Sequence, residues 1–176
     1  MDSLVNKRKK KVLFLTGCSS GIGFELAKLF SEEDYSLVFC ARNIVKLKKT
    51  FSKKKNVFVL KINLKNENDI KKNIKKILTR YGRIDILINN AGVCSTGNIE
   101  KLTKNKIDEI FQTNLYAPIY LIRECLPEMK KNNFGRIINI SSAGSINCSK
   151  FYTLYSASKA ALNTLAKSLN NEISNF

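Results

Sequence analysis

Apolar residues follow two alternating rhythms along the chain. Residues 12–15 form a short continuous apolar run ending at Thr16-Gly17, as suits a strand buried on both faces. Gly21-Ile22-Gly23 then opens a segment whose apolar residues Ile22, Leu26, Leu29 and Phe30 return at helical spacing. Residues 37–40 predict a second buried strand, and a basic, mostly helical stretch follows Ala41-Arg42. Residues 57–64 alternate apolar with polar positions, the mark of a third strand. Ile70, Ile74, Ile77 and Leu78 make 67–81 an amphipathic helix. Residues 84–88 predict a fourth strand, closed by Asn89-Asn90-Ala91-Gly92. A long helix is expected over 104–130, with Asn114 in its middle and a perturbation from Pro118. Residues 137–140 predict a fifth strand, closed by Ser141-Ser142-Ala143-Gly144, and 155–169 a final helix.

Five strands, each followed by a helix, imply right-handed crossovers and a parallel sheet covered on both faces. The expected fold class is α/β, a doubly wound parallel sheet of Rossmann-like type. No internal repeat or low-complexity linker divides the chain.

Composition narrows the chemistry. The 176 residues include no His, no Trp and five Cys, and 44% are hydrophobic, which excludes a disordered tail. Without His there is no Ser-His-Asp or Cys-His nucleophile and no His-ligated metal. The cysteines at 18, 40, 94, 125 and 148 contain no CxxC pair, so no metal site is expected. Their odd number, with no signal-like apolar stretch ahead of them, reads as reduced thiols in a soluble, cytoplasmic protein. The net charge of +17 raises the possibility of a nucleic-acid binder. However, the lysine runs at 7–11, 53–55 and 71–72 sit at segment ends or on helix faces, with no interleaved aromatics to stack on bases. They are expected to be solvated surface, with no specific nucleic-acid partner.

Chemistry concentrates at the strand ends. Thr16-Gly17-Cys18-Ser19-Ser20-Gly21-Ile22-Gly23 is a Gly-rich turn between a buried strand and a helix. Glycines let backbone approach a diphosphate, and a helix N-terminus offers free N–H groups with partial positive charge. That makes 12–176 a dinucleotide-binding domain behind a basic flank over 1–11. After the second strand stands Cys40-Ala41-Arg42-Asn43. A carboxylate there would suit the ribose of NAD(H), whereas an Arg accommodates a 2′-phosphate, so NADP(H) is favoured over NAD(H). Tyr155 and Lys159, four residues apart, project from one helix face. An ammonium beside a phenol favours phenolate, which suits proton transfer near neutral pH. Ser142, after the fifth strand, stands ready to hydrogen-bond a substrate oxygen.

Taken together, Thr16-(x)3-Gly21-Ile22-Gly23, Asn89-Asn90-Ala91-Gly92, Asn114, Ser142 and Tyr155-(x)3-Lys159 resemble the short-chain dehydrogenases/reductases in order and spacing. The resemblance implies hydride transfer between NADP(H) and a small-molecule carbonyl or alcohol, with no metal. Tyr155 would be the general acid in reduction and the base in oxidation. Lys159 would hold the nicotinamide ribose and favour the Tyr155 phenolate, and Ser142 would orient the reacting oxygen. Asn114, at a distortion in its helix, would hold a water linking Lys159 to solvent. Gly17, Ser19, Ser20, Gly21, Ile22 and Gly23 would cradle the cofactor, with Asn90, Ala91 and Gly92 along its adenosine side. The long helices would mediate a homo-oligomer in a complete family member.

Two departures from the family pattern stand out. The family commonly places Asp and an apolar residue after the third strand, where the carboxylate meets adenine. Here Asn63-Leu64 stands there, and Asn can still accept from the adenine amino group. Family members also continue beyond the Tyr/Lys helix into further strands and a loop over the nicotinamide. This sequence is therefore expected to be a C-terminally truncated member, with the fifth strand left as a sheet edge. The alternative function is a cofactor-binding or dimerising module with little or no turnover.

Overall fold

The computed structural model of the chain describes residues 10–174. Most of the basic flank expected over 1–11 lies outside them. Strands β1 (Val12–Thr16), β2 (Ser36–Ala41), β3 (Val57–Lys61), β4 (Ile86–Asn89) and β5 (Arg136–Asn139) alternate with helices. They form one parallel sheet in the order β3-β2-β1-β4-β5. The helices are α1 (Gly21–Phe30), α2 (Val45–Thr50), α3 (Glu67–Tyr81), α4 (Lys104–Phe111), α5 (Ala117–Lys131), the short α6 (Gly144–Asn147) and α7 (Thr153–Glu172).

The apolar run of β1 follows from its central place. Val12 and Phe14 join the core under α3 and α5, with Ile70, Ile74, Ile77, Leu121 and Cys125. Leu13 and Leu15 face the opposite layer with Ala27, Leu37, Phe39, Leu47 and Phe51. Both faces are covered, so period-two alternation is lost where burial is complete. At the base of the sheet, buried Asp85 accepts from Val12 N–H at 2.7 Å and from Arg83 Nε at 2.8 and 2.9 Å. Its backbone bonds Val12 O and Arg136 N, joining the starts of β1, β4 and β5. Among the described residues, no helix is long and apolar enough to cross a membrane.

Several expectations change in detail. In α1, Gly23 and Ala27 face the sheet, while Ile22 and Leu29 are 63% and 62% exposed. The helix starts so close to the preceding turn that only a glycine fits inward at 23. Strand β3 stops at Lys61, although Ile62 and Leu64 still dip into the core. Pairing in β4 begins at Ile86, two residues later than expected. The long central helix is interrupted by a π-helical turn over Gln112–Tyr116, upstream of Pro118. Pro118 lacks the N–H that would bond the Asn114 carbonyl four residues back, and the wide turn accommodates that loss. Strand β5 lies at the sheet edge as expected, with Ile138 45% exposed. Lys53, Lys55, Lys71 and Lys72 are exposed.

Candidate functional site

Strand order reverses between β1 and β4, and ligands of open α/β sheets sit outside the carboxyl ends at that switch point. A cleft of about 480 Å³ opens there. Of the residues singled out in the sequence, Gly17, Ser19, Ser20, Gly21, Ile22, Gly23, Arg42, Asn63, Leu64, Asn90, Ala91, Gly92, Tyr155 and Lys159 line it. Asn114 and Ser142 do not, and Ser141 lines it instead.

The Gly-rich turn is locked from the far side of the switch point. Thr16 Oγ1 accepts the N–H groups of Asn90 and Ala91, both at 3.0 Å. Asn90 Nδ2 donates to the carbonyls of Thr16 at 2.9 Å and Gly17 at 3.3 Å. Gly17 adopts a φ of 71°, and a Cβ on it would stand 2.7 Å from Ala91 Cα, so two backbones touch where any side chain would part them. The first turn of α1 carries no acidic residue, and Ser20 makes no side-chain cap. Its N–H groups are therefore open to an anion in the cleft. Cys18, within this turn, is buried and donates to Leu15 O at 3.0 Å. Burial pushes its thiol up, and pushes neighbouring Cys40 up to about 12, so neither is a thiolate near neutral pH.

At one end of the cleft, Arg42 and Lys65 both approach Glu109. Asn63 turns its side-chain oxygen to the Lys65 N–H at 3.2 Å, and its own N–H donates to Asp69 Oδ2 at 2.7 Å. One lone pair of the Asn63 carbonyl is thus engaged locally, and the other remains for a ligand donor.

At the other end, α7 carries Tyr155 and Lys159. Lys159 is buried, its Nζ donates to Ile140 O at 2.7 Å, and it lies 5.9 Å from the Tyr155 ring centroid. Burial holds its ammonium below the usual lysine range. Gly92 is the shared neighbour: a Cβ there would stand 3.5 Å from both Lys159 Nζ and Asn114 Oδ1.

Asn114 is fully buried within the π-helical turn. Its Oδ1 accepts from Val93 N at 2.8 Å, and its Nδ2 donates to Val93 O at 2.9 Å and Ser158 Oγ at 3.0 Å. Ser158 Oγ in turn donates to Tyr155 O at 2.7 Å. The Asn114 side chain thus clamps the segment after β4 against α7 and makes no bond to Lys159. Ser142 Oγ accepts from Gly144 N at 3.1 Å. It neighbours Tyr155 across Gly144, where a Cβ would stand 3.4 Å from Ser142 Oγ and 3.9 Å from Tyr155 Cε1.

Sequence reasoning passed over Ser158, Lys65 and the latching role of Thr16. Thr16 stood in the quoted motif, and Ser158 lies inside the Tyr155-(x)3-Lys159 run. Nothing local marks Lys65, because its relation to Arg42 arises only when β2 and β3 pair.

Comparison with known proteins agrees with this geometry. The family model described as short chain dehydrogenase matches residues 11–176. An uncharacterized oxidoreductase of Staphylococcus aureus (strain MW2) is 31% identical over 165 residues, covering 93% of this chain and 71% of that protein. A solved short-chain dehydrogenase from Streptomyces avermitilis superposes with a TM-score of 0.91 at 29% identity, covering 96% of this chain and 62% of that one. A metagenomic short-chain oxidoreductase in complex with NADP superposes with a TM-score of 0.88 at 30% identity, covering 94% of this chain and 77% of that one. This chain therefore spans 62% to 77% of the length of these relatives. Sheet order, latched glycine turn and matched sequence converge, and the chain belongs to the short-chain dehydrogenase family.

Proposed function

We propose that the protein is an NADP(H)-dependent oxidoreductase acting on a carbonyl or alcohol, with Tyr155 as general acid/base. The observation that carries this reading is one continuous cleft with the glycine turn and Arg42 at one end and Tyr155 and Lys159 at the other. The residues present fit a dinucleotide. Gly17 and Gly23 leave a cradle that a Cβ would fill, the start of α1 is free of acid, and Arg42 with Lys65 supplies positive charge for a 2′-phosphate.

Bound there, the nicotinamide supplies or accepts the hydride. The start of α1 holds the diphosphate through its N–H groups, and Asn90 keeps the turn in shape. Tyr155 Oη gives a proton to the carbonyl oxygen in reduction or takes it from the hydroxyl in oxidation. Lys159, held to Ile140 O, keeps its Nζ 5.9 Å from the Tyr155 ring centroid and would hold the nicotinamide ribose. Asn114 acts one step back, by positioning Val93 and α7.

A cofactor-binding module without turnover is the second reading. Ser142 favours it, since its side chain does not line the cleft. Titration with NADPH and NADH, followed by cofactor fluorescence, tests the binding half, with little background because the chain contains no Trp. Turnover on a carbonyl panel tests the chemical half. Tyr155→Phe is expected to abolish turnover while cofactor affinity stays within about tenfold, since one hydrogen bond at most is lost from binding. Turnover that survives Tyr155→Phe overturns the assignment of Tyr155, and binding without any turnover favours the module.

A further inference from the structure

The cationic end of the cleft holds an anion of its own. Glu109, on α4, places Oε1 3.5 Å from Lys65 Nζ and 3.9 Å from Arg42 Nη1. Arg42 follows β2 and Lys65 follows β3, so three separate elements bring these charges together. Both cations line the cleft, and Glu109 does not. All three side chains reach solvent, at 70% for Arg42, 41% for Lys65 and 43% for Glu109. The distances are long for direct pairs, and neither cation gives Glu109 a bidentate contact of the kind that makes a surface ion pair strong. The carboxylate is therefore held loosely enough to be exchanged for another anion.

We infer that Glu109 is an internal counter-ion that a cofactor 2′-phosphate displaces from Arg42 and Lys65, and that Lys65 is a second phosphate-selecting cation beside Arg42. This inference rests on the NADP(H) reading above. A phosphomonoester carries nearly two negative charges at neutral pH and three acceptor oxygens, against one charge and two oxygens for a carboxylate. It can engage both cations at once and outcompetes Glu109 for them. Glu109 then stays nearby as a like charge, so it restrains the preference for NADPH over NADH. NADH carries a ribose hydroxyl at that position and gains nothing from the two cations.

The test is the ratio of NADH to NADPH dissociation constants for the wild-type chain, Glu109→Gln and Lys65→Met. Each is measured at low salt and again at about 0.5 M salt, where the Debye length falls to about 4 Å. Both substitutions lie on exposed side chains, and far-ultraviolet circular dichroism verifies the fold of each variant. Glu109→Gln is expected to raise the preference for NADPH by about threefold to tenfold at low salt, and Lys65→Met to lower it by a similar factor. Both effects shrink at high salt. An unchanged or lowered ratio in Glu109→Gln overturns the inference while leaving the NADP(H) reading standing. So does a rise that comes wholly from weaker NADH binding, because Glu109 would then be a partner of the ribose hydroxyl. A wild-type chain that binds neither cofactor, or prefers NADH, overturns the NADP(H) reading itself and the inference with it.

Discussion

Gly23 offers a sharp test of the latched turn. It sits at the third position of α1, buried against the turn that precedes it. A Cβ there would overlap Asn90 Nδ2 and Gly17 O and stand 2.9 Å from Gly17 C. Ordinary contact begins near 3.4 Å, so Gly23→Ala forces the helix start back by about 1 Å or pushes Asn90 out of its seat. The first route strains a packed core at about 1–3 kcal/mol, and the second forfeits the Asn90 bonds to Thr16 O and Gly17 O at about 1 kcal/mol each. A loss of about 2 kcal/mol follows by either route. With a urea slope of about 2 kcal/mol/M, the unfolding midpoint falls by about 1 M. Cofactor affinity is expected to fall at least about tenfold, since the displaced groups shape the diphosphate seat. Gly21→Ala is the internal control. Gly21 has a φ of 53° with nothing within 4 Å of the added carbon, so only backbone strain of about 1–2 kcal/mol applies. A smaller midpoint loss in Gly23→Ala than in Gly21→Ala, or unimpaired binding by Gly23→Ala, would refute the argument that close approach, rather than backbone freedom, demands glycine at 23.

Two further outcomes follow from buried charge. Asp85→Asn puts an amide against the Arg83 guanidinium and is expected to cost about 3 kcal/mol, the lower end for breaking a buried pair because Arg83 reaches solvent; a urea midpoint within 0.3 M of wild type, about the resolution of such a comparison, would sink that reading. Lys159 is held below its unfolded value by burial, so the unfolded chain binds more protons between the depressed value and about 10.4. Stability of the wild type relative to Lys159→Met therefore rises with pH across that window, and paired melts showing a flat or falling difference would contradict it.

The fold was legible because its signals are local. Buried parallel strands announce themselves as short apolar runs, and the glycines of 17–23 mark the first crossover wherever they occur. Detail is lost where packing geometry overrides periodicity. Ile22, Leu26, Leu29 and Phe30 recur at helical spacing, but of these only Leu26 and Phe30 pack against the core. A helix seated directly on a glycine turn instead presents its smallest residues, Gly23 and Ala27, and leaves Ile22 beside the cleft. The distortion at Asn114 is legible from the resemblance and from Pro118, and only its form, a π-helical turn over Gln112–Tyr116, is not. The resemblance gives Asn114 a water link toward Lys159; what spacing leaves unread is the clamp its side chain makes with Val93 and Ser158. No single-sequence pattern pairs residues 114 and 158. The grouping of Lys65 and Glu109 with Arg42 was invisible for the same reason, since each belongs to a different crossover.

The latch between Thr16 and Asn90 spans 74 positions, and this bears on how the protein comes into being. On a ribosome adding about 5–20 residues per second, the glycine turn emerges roughly 4–15 s before the segment that fixes it. Until β4 arrives, that turn is a loose loop with no seat for a diphosphate. Ligand capture thus reports completion of the central sheet and cannot precede it. A molecule that occupies the cleft draws the population toward the finished state by mass action, about 2.7 kcal/mol at a hundredfold excess over its dissociation constant. Cellular supply of that molecule would then set how much of the newly made chain survives to be used.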